Sequence, residues 1–450
     1  MKYIYTCLYI LLIINSPILS ASSSIDLKEA IKILKSNNLE IKSATFANKI
    51  AQEDIKAAIG NHYGKVNLTQ DFLRSNDAGN VFGFKLTSRE AVFNDFGFSE
   101  FGLIDNNTPP HDLNYPSSKN FFQSKLSYEI PLFTGFKISS YVEIMKSMSK
   151  IKKLEKSQVL NEKIYQIKKS FYDMALLQTS TQNLNKILNN INTLEDMTES
   201  MIEVGYAKKV DLLEVKAKKG NVERLIYQMK SNEKLLYHFI SFLLNQKITN
   251  IETPSSDILK PAYSNKEILN SNLDIKKANY ALEVRKNMIK VSKSSYYPVA
   301  GAFAELSTAD NTFLGDISDH SSYTIGARIT WNIFNGSIDS ANIEKSRLEY
   351  LKIQNQVELA KSATSLKVEK IKTEIESFDN DIKSLEKELI LANEIYKNYE
   401  GRYREKLSSM SDVIIKQTEQ IKKILQLQEI KNKRNERIFA LERLANGEKQ

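Results

Sequence analysis

Tyr128 to Lys137 reads YEIPLFTGFK, and Ile329 to Ile338 reads ITWNIFNGSI. Phe133 and Gly135 of the first stretch recur as Phe334 and Gly336 of the second, each 201 positions on (334 − 133 = 201). Both times an alternating stretch runs into a Phe, a Gly and then a long charged segment. Upstream, NLEIKSA at 38–44 recurs as NLDIKKA at 272–278, now 234 positions on (272 − 38 = 234), and Tyr63 recurs as Tyr297 at the same spacing. The chain therefore reads as an internal duplication, which sets the frame for every other reading. The two spacings differ by 33, so the first copy carries an insertion of that length between about Leu73 and Asn120. That stretch is rich in Asn, Asp, Gly, Phe and Pro and is predicted as a loop. The second copy crosses the same gap between Ser307 and Ser321.

The flanks of these loops alternate with period two, the signature of a strand with two unlike faces. Phe122, Ser124, Leu126, Tyr128, Ile130 and Leu132 fall on one face of the first, Gln123, Lys125, Ser127 and Glu129 on the other. In the second copy Tyr323, Ile325, Ala327, Ile329, Trp331 and Ile333 alternate with Thr324, Gly326, Arg328, Thr330 and Asn332. Val66, Leu68 and Phe72 suggest a partner strand in copy one, while Val299–Leu306 is ambiguous. About ten residues is the span of a tilted barrel strand in a bilayer. A soluble antiparallel sheet with one face on a core has the same pattern. Four strands cannot close a barrel in lipid, because an open edge leaves backbone groups unpaired, so a membrane-bound chain must oligomerise.

Past Gly135 and Gly336 the period changes. Ile371, Ile375, Phe378, Ile382, Leu385, Leu389, Ala392, Tyr396, Tyr399 and Tyr403 step by four and three. Leu184, Ile187, Ile191, Leu194, Thr198 and Met201 do the same in copy one. These are heptad seams of long helices. No proline lies between Pro131 and Pro254 or after Pro298, so nothing breaks them. Breaks at Gly205–Val210 and Lys406–Ser411 predict a returning helix in each copy.

The first residues, MKYIYTCLYILLIINSPILSASSS, predict a secretory signal peptide over residues 1–21. A membrane anchor is the alternative, but the apolar run falls short of the ~20 residues a spanning helix needs. Cys7, the only cysteine, lies inside that run, so the exported chain is expected to have no disulfide and no thiolate site. The net charge of +9 is dispersed and interleaved with acids, which argues against nucleic acid. His62, His111, His238 and His320 are not at ligand spacing, and no phosphate loop, zinc-protease or nucleophile-elbow motif is present. No enzyme, cofactor or metal is expected.

Taken together, the signal peptide, the paired strands, the long hairpins and the two boundary stretches resemble the TolC-like outer-membrane efflux proteins. The hairpin ends add to the resemblance. The family pattern is an aromatic, two residues, Gly, five residues, then Asp and two aliphatics. YREKLSSMSDVII keeps Tyr403 and Asp412, and IEVGYAKKVDLLE keeps Gly205 and Asp211. The sequence departs from the pattern at Lys406 (in place of Gly), at Ser408 (where some members carry Arg) and at Ile415 (where some carry a second Asp).

The resemblance implies a mainly α chain with a transmembrane β-barrel: a homotrimer whose twelve strands form one barrel in the outer membrane, continued by a periplasmic coiled-coil tunnel. It implies a duct for efflux or type I secretion, working with a periplasmic adaptor and an inner-membrane pump. Its gate and aperture would use Asp211, Glu214, Tyr403 and Asp412. Adaptor contacts would fall on Val204, Gly205, Tyr206, Lys406, Leu407 and Ser408. Phe122, Leu126, Tyr128, Ile130, Leu132, Tyr323, Ile325, Ile329, Trp331 and Ile333 would face lipid, with Gly135 and Gly336 at the barrel–tunnel junction. The expected division is a first repeat over 22–250, a linker over 251–265 and a second repeat over 266–450. In each repeat a helix precedes two strands and a long hairpin. A pore-free periplasmic coiled-coil adaptor is the competing reading. It would want lipoyl-like or barrel-like domains around a single hairpin. The alternative for the acids at the hairpin ends is helix-start charge that complements the macrodipole.

Overall fold

A computed structural model describes residues 24–105, 107–255 and 258–446; the expected signal peptide lies outside them. Two helices, α1 (Leu27–Asn37) and α2 (Leu39–Gly60), lead into strand β1 (Lys65–Ser75). Helices α3 (Ala78–Thr87) and α4 (His111–Asn114) follow, then β2 (Lys119–Phe133) and the long pair α5 (Lys137–Glu203) and α6 (Lys209–Leu244). The order then recurs: α7 (Asn265–Ser271), α8 (Leu273–Lys293), β3 (Val299–Asp310), β4 (Ser321–Thr330), α9 (Ile338–Arg404) and α10 (Met410–Leu444). Helices α5 and α9 have 67 residues each. The segment preceding the strands is thus two helices in each copy, where the sequence suggests one.

The residues fall into two units. The first comprises residues up to 46, 154–276 and 360–450 and is helical. Its packing is duplicated as the sequence is. Ile167, Met174 and Ile240 are fully buried in one core cluster; Val368, Ile375 and Leu441, each 201 positions on, are fully buried in another. The same holds for Leu34 and Ile268 at the spacing of 234. The duplicated asparagines explain the break between the short helix and the next. Asn38 accepts from the Ile41 amide at 3.0 Å and donates to Leu243 O at 2.8 Å. Asn272 accepts from the Ile275 amide at 3.1 Å and donates to Leu444 O at 3.3 Å. Each carboxamide caps the second helix and ties it to the end of the returning one, so the amide is buried with its polar groups satisfied.

The second unit comprises 47–153 and 277–359 and holds the sheet, an antiparallel meander in the order β1-β2-β3-β4. Its register settles the ambiguous β3. Leu68, Leu126, Leu306 and Tyr323 form one row, and Val66, Tyr128, Ala304 and Ile325 the next, all on one face. The opposite face carries Lys65, Glu129, Phe303 and Gly326 in one row. Four of the residues read as lipid-facing take places the periodicity alone does not show. Leu132 follows an irregularity at Pro131, where the pairing slips by one residue. Ile329 is the last apolar residue of β4, and Trp331 and Ile333 lie beyond the strand. The alternation runs on past the residues that have a pairing partner.

The inserted segment also differs from a plain loop. Helix α3 starts at Asp77, whose carboxylate accepts from the Asn80 amide at 3.0 Å. Val81 is buried, and Phe84 stacks on Phe121 of β2 at 4.3 Å between centroids. Of the apolar residues that look like loop filler in sequence, Phe84 packs on the start of β2.

At both strand-to-helix boundaries the backbone is left-handed at two successive residues: Gly135 and Phe136, then Gly336 and Ser337. A Cβ on Gly135 would lie 2.7 Å from Ser294 O, so that position is closed to side chains as well as left-handed.

Candidate functional site: the hairpin ends and the two-faced sheet

In the helical unit both hairpins end in the same way. Gly205 N donates to Ile202 O and Tyr206 N to Met201 O; Lys406 N donates to Tyr403 O and Leu407 N to Arg402 O. This is the Schellman ending, which needs a left-handed residue after the helix. Gly205 supplies it at φ 79°, and Lys406 adopts φ 64° at the equivalent position. The departure from glycine is therefore accommodated with the backbone kept. The Lys406 ammonium lies 3.1 Å from the centre of the Tyr206 ring, joining the two turns by a cation–π contact. Val204, Tyr206 and Leu407 are exposed around it, and Ser408 is half-buried.

The two aspartates start the returning helices. Asp211 accepts from the Lys208 amide at 2.7 Å. Asp412 accepts from the Ser409 hydroxyl at 2.6 Å and the Ser409 amide at 3.2 Å, while Ser409 Oγ accepts from the Asp412 amide. These are capping-box contacts, so within one chain both acids serve as helix-start residues. Hydrogen bonds from Ser409 hold the Asp412 carboxyl below its ordinary range. Glu214 does something else: it accepts from Ser411 Oγ at 3.0 and 2.8 Å, tying one hairpin end to the other. Ser411 was invisible as a partner in the sequence, since 197 positions separate the pair. Ser409, by contrast, was readable from its Ser-x-x-Asp spacing.

Tyr403 is buried, and its hydroxyl has no partner with hydrogen-bond geometry among the described residues. Burial pushes its phenol up; the neighbouring Thr198 hydroxyl opposes this and the charge of Asp211 adds to it. Tyr403 is thus close enough to feel Asp211 but is not bonded to it. Its ring packs in a core with Leu194, Val215, Met410 and Val413.

In the strand unit the apolar face is bare. Leu68, Tyr323, Ile325 and Ile329 are each about three-quarters exposed. Phe122 and Ile130 are half-buried, and Leu126, Tyr128 and Leu132 are exposed. The polar face carries a Lys125–Glu305 ion pair at 2.9 Å. β1 and β4 are edges with one partner each. Among the described residues no helix is long and apolar enough to cross a membrane, and no group of His, Cys, Asp and Glu gathers as a metal site.

Comparison with known proteins places this geometry. Residues 265–447 match the family described as outer membrane efflux protein. No curated protein sequence matches the chain significantly. Solved structures are similar along nearly the whole length. CusC, whose structures describe transmembrane channel formation, is 15% identical over 95% of this chain and 94% of its own, with a TM-score of 0.78. The outer membrane protein VceC from Vibrio cholerae is 15% identical over 94% and 96%, at 0.76. The open-state MtrE outer membrane channel of Neisseria gonorrhoeae is 14% identical over 94% and 89%, at 0.74. Residues 265–447 thus match the outer membrane efflux protein family model, and the chain as a whole has the fold of the outer-membrane channels it resembles.

Proposed function

We propose that the protein is an outer-membrane export duct. Three copies join their sheets edge to edge, β4 of one against β1 of the next, into a twelve-stranded barrel, and their helices form a periplasmic tunnel. The observation that carries this reading is the sheet's apolar face, which is exposed rather than laid on a core. A soluble sheet of this composition would bury that face; lipid covers it at no comparable penalty. Two open edges in one four-stranded sheet supply the reason for oligomerising.

The hairpin ends are the gate in this reading. Asp211, Glu214 and Asp412 from three chains line the aperture, and Tyr403 wedges the seam behind them. Val204, Gly205, Tyr206, Lys406, Leu407 and Ser408 form the surface that a periplasmic adaptor grips, with an inner-membrane pump beyond it. Gly135 and Gly336 are where each barrel strand hands over to a tunnel helix. The repeats divide at 250 and 266 around a linker.

Cysteines introduced pairwise into β1 and β4 test the assembly. Oxidation of outer membranes should yield covalent dimers and trimers and stop there, and the purified oligomer should conduct in planar bilayers. A crosslinking ladder that runs past three, or a protein recovered only in the soluble periplasm, would overturn it.

A further inference from the structure

A cavity of about 940 Å³ opens at the end of the sheet where β2 approaches Gly135. Lys65, Glu129, Phe303, Arg328, Lys137 and Tyr141 line it. The strand register puts Lys65, Glu129, Phe303 and Gly326 side by side on the polar face, with Gly301 opposite Arg328 in the adjoining row. Gly326 is what lets the Phe303 ring lie across β4, since a Cβ there would come within 2.6 Å of Phe303 Cζ. The Arg328 guanidinium stands 5.9 Å from the centre of that ring. A flat aromatic surface and a planar cation are thus presented together, and a glycine holds the ring in place.

The charges are unbalanced. Three cations, Lys65, Lys137 and Arg328, face one carboxylate, Glu129, which stands opposite Lys65 in register. Among the described residues Arg328 and Lys137 have no carboxylate within ion-pair distance. Elsewhere on the same face the cation is matched, as in the Lys125–Glu305 pair. An unpaired guanidinium beside an aromatic ring has two free functions: its fork donates to a carboxylate or sulfonate, and its plane and the ring cover an apolar body. With three copies around one axis, the excess positive charge is tripled and focused on the passage.

We propose that this cavity is a cargo site for aromatic anions, with the anionic group on Arg328 and the ring system against Phe303. The inference rests on the duct reading, in which the polar face lines the lumen, and it names the class of molecule the duct prefers.

The full-length oligomer in lipid nanodiscs provides the test, by calorimetric titration with 2-naphthalenesulfonate, methanesulfonate and 2-naphthylmethylammonium. The aromatic sulfonate should bind at least tenfold tighter than methanesulfonate, and the aromatic cation should not bind. Arg328→Gln should weaken the aromatic sulfonate at least tenfold and Arg328→Lys by less, because the charge remains and the fork does not. Phe303→Leu should narrow the gap between the two sulfonates. Equal binding of both sulfonates, or unchanged binding in Arg328→Gln, overturns the proposal. Conductance is recorded on the same preparations. A conducting pore without binding removes this inference alone, whereas binding without conduction removes the duct and with it the cargo role of the site.

Discussion

At the residue scale the two hairpin turns are a natural experiment on left-handed backbone. Gly205 has open space around its missing Cβ, so Gly205→Ala meets no clash and feels the conformational penalty, offset in part by a less disordered unfolded chain. The penalty is about 1–2 kcal/mol for an L-residue, and a denaturant titration of the oligomer should show a lower midpoint for unfolding of the helical unit. Lys406→Gly relieves the same penalty but loses the contact with Tyr206, about 0.5–1 kcal/mol at an exposed site, and adds unfolded-state entropy of about 0.5–1 kcal/mol. The effects offset, and the midpoint should barely move. Asp412 makes the local stability pH-dependent. Its carboxyl is held below the usual value by Ser409, so its contribution is present above the unfolded-state pKa of about 3.9 and is lost as pH falls through the folded value. Hydrogen exchange over residues 410–416, corrected for intrinsic rates, should accelerate as pH falls below about 4. Ser409→Ala should weaken that dependence.

At the scale of the element, the sheet's two faces should respond oppositely to the same substitution. Ile329 and Thr330 are neighbours at the end of β4, one on the exposed apolar face and the other on the polar face. A lysine facing lipid costs roughly 2–4 kcal/mol near the bilayer midplane and less toward the interface, whereas a lumen position is wet. Ile329→Lys should therefore reduce the yield of heat-modifiable oligomer in outer membranes several-fold, and Ile130→Lys should do the same, while Thr330→Lys leaves the yield near the parent's. Equal losses at both faces would favour a sheet packed against protein.

Across the molecule the insertion in the first copy divides into a part that packs and a part that does not. Helix α3 is anchored by Val81 and by Phe84 on Phe121, and Arg89 donates to Asp319 O in the β3–β4 connection at 3.3 Å. Phe93, Phe98, Phe101 and Leu103 are exposed. Replacing 98–109 by a short Gly-Ser linker should leave assembly unchanged, because loop closure depends only logarithmically on length. Removing α3 as well should lower the melting temperature, since Phe121 would lose the Phe84 ring stacked on it. Gel mobility with and without heating measures both.

Much of this architecture follows from the sequence alone, because duplication is visible in one dimension. Matching residues at spacings of 201 and 234 mark the copies, period two marks the strands, and heptads with no proline mark the long helices. The helix-start role of Asp412 was also within reach, because a capping box is written within four residues. What tertiary structure decided are contacts between residues far apart in the chain. Ser411 reaches Glu214 across 197 positions, and Phe303 lies flat because Gly326 sits opposite it in register. The place of Trp331 and Ile333 beyond β4 depends on where a neighbouring strand stops, and alternation carries no record of its partner's length. Local periodicity is set by backbone geometry, which each residue shares with its neighbours. Site geometry is set by packing and register, which exist only once distant segments have met.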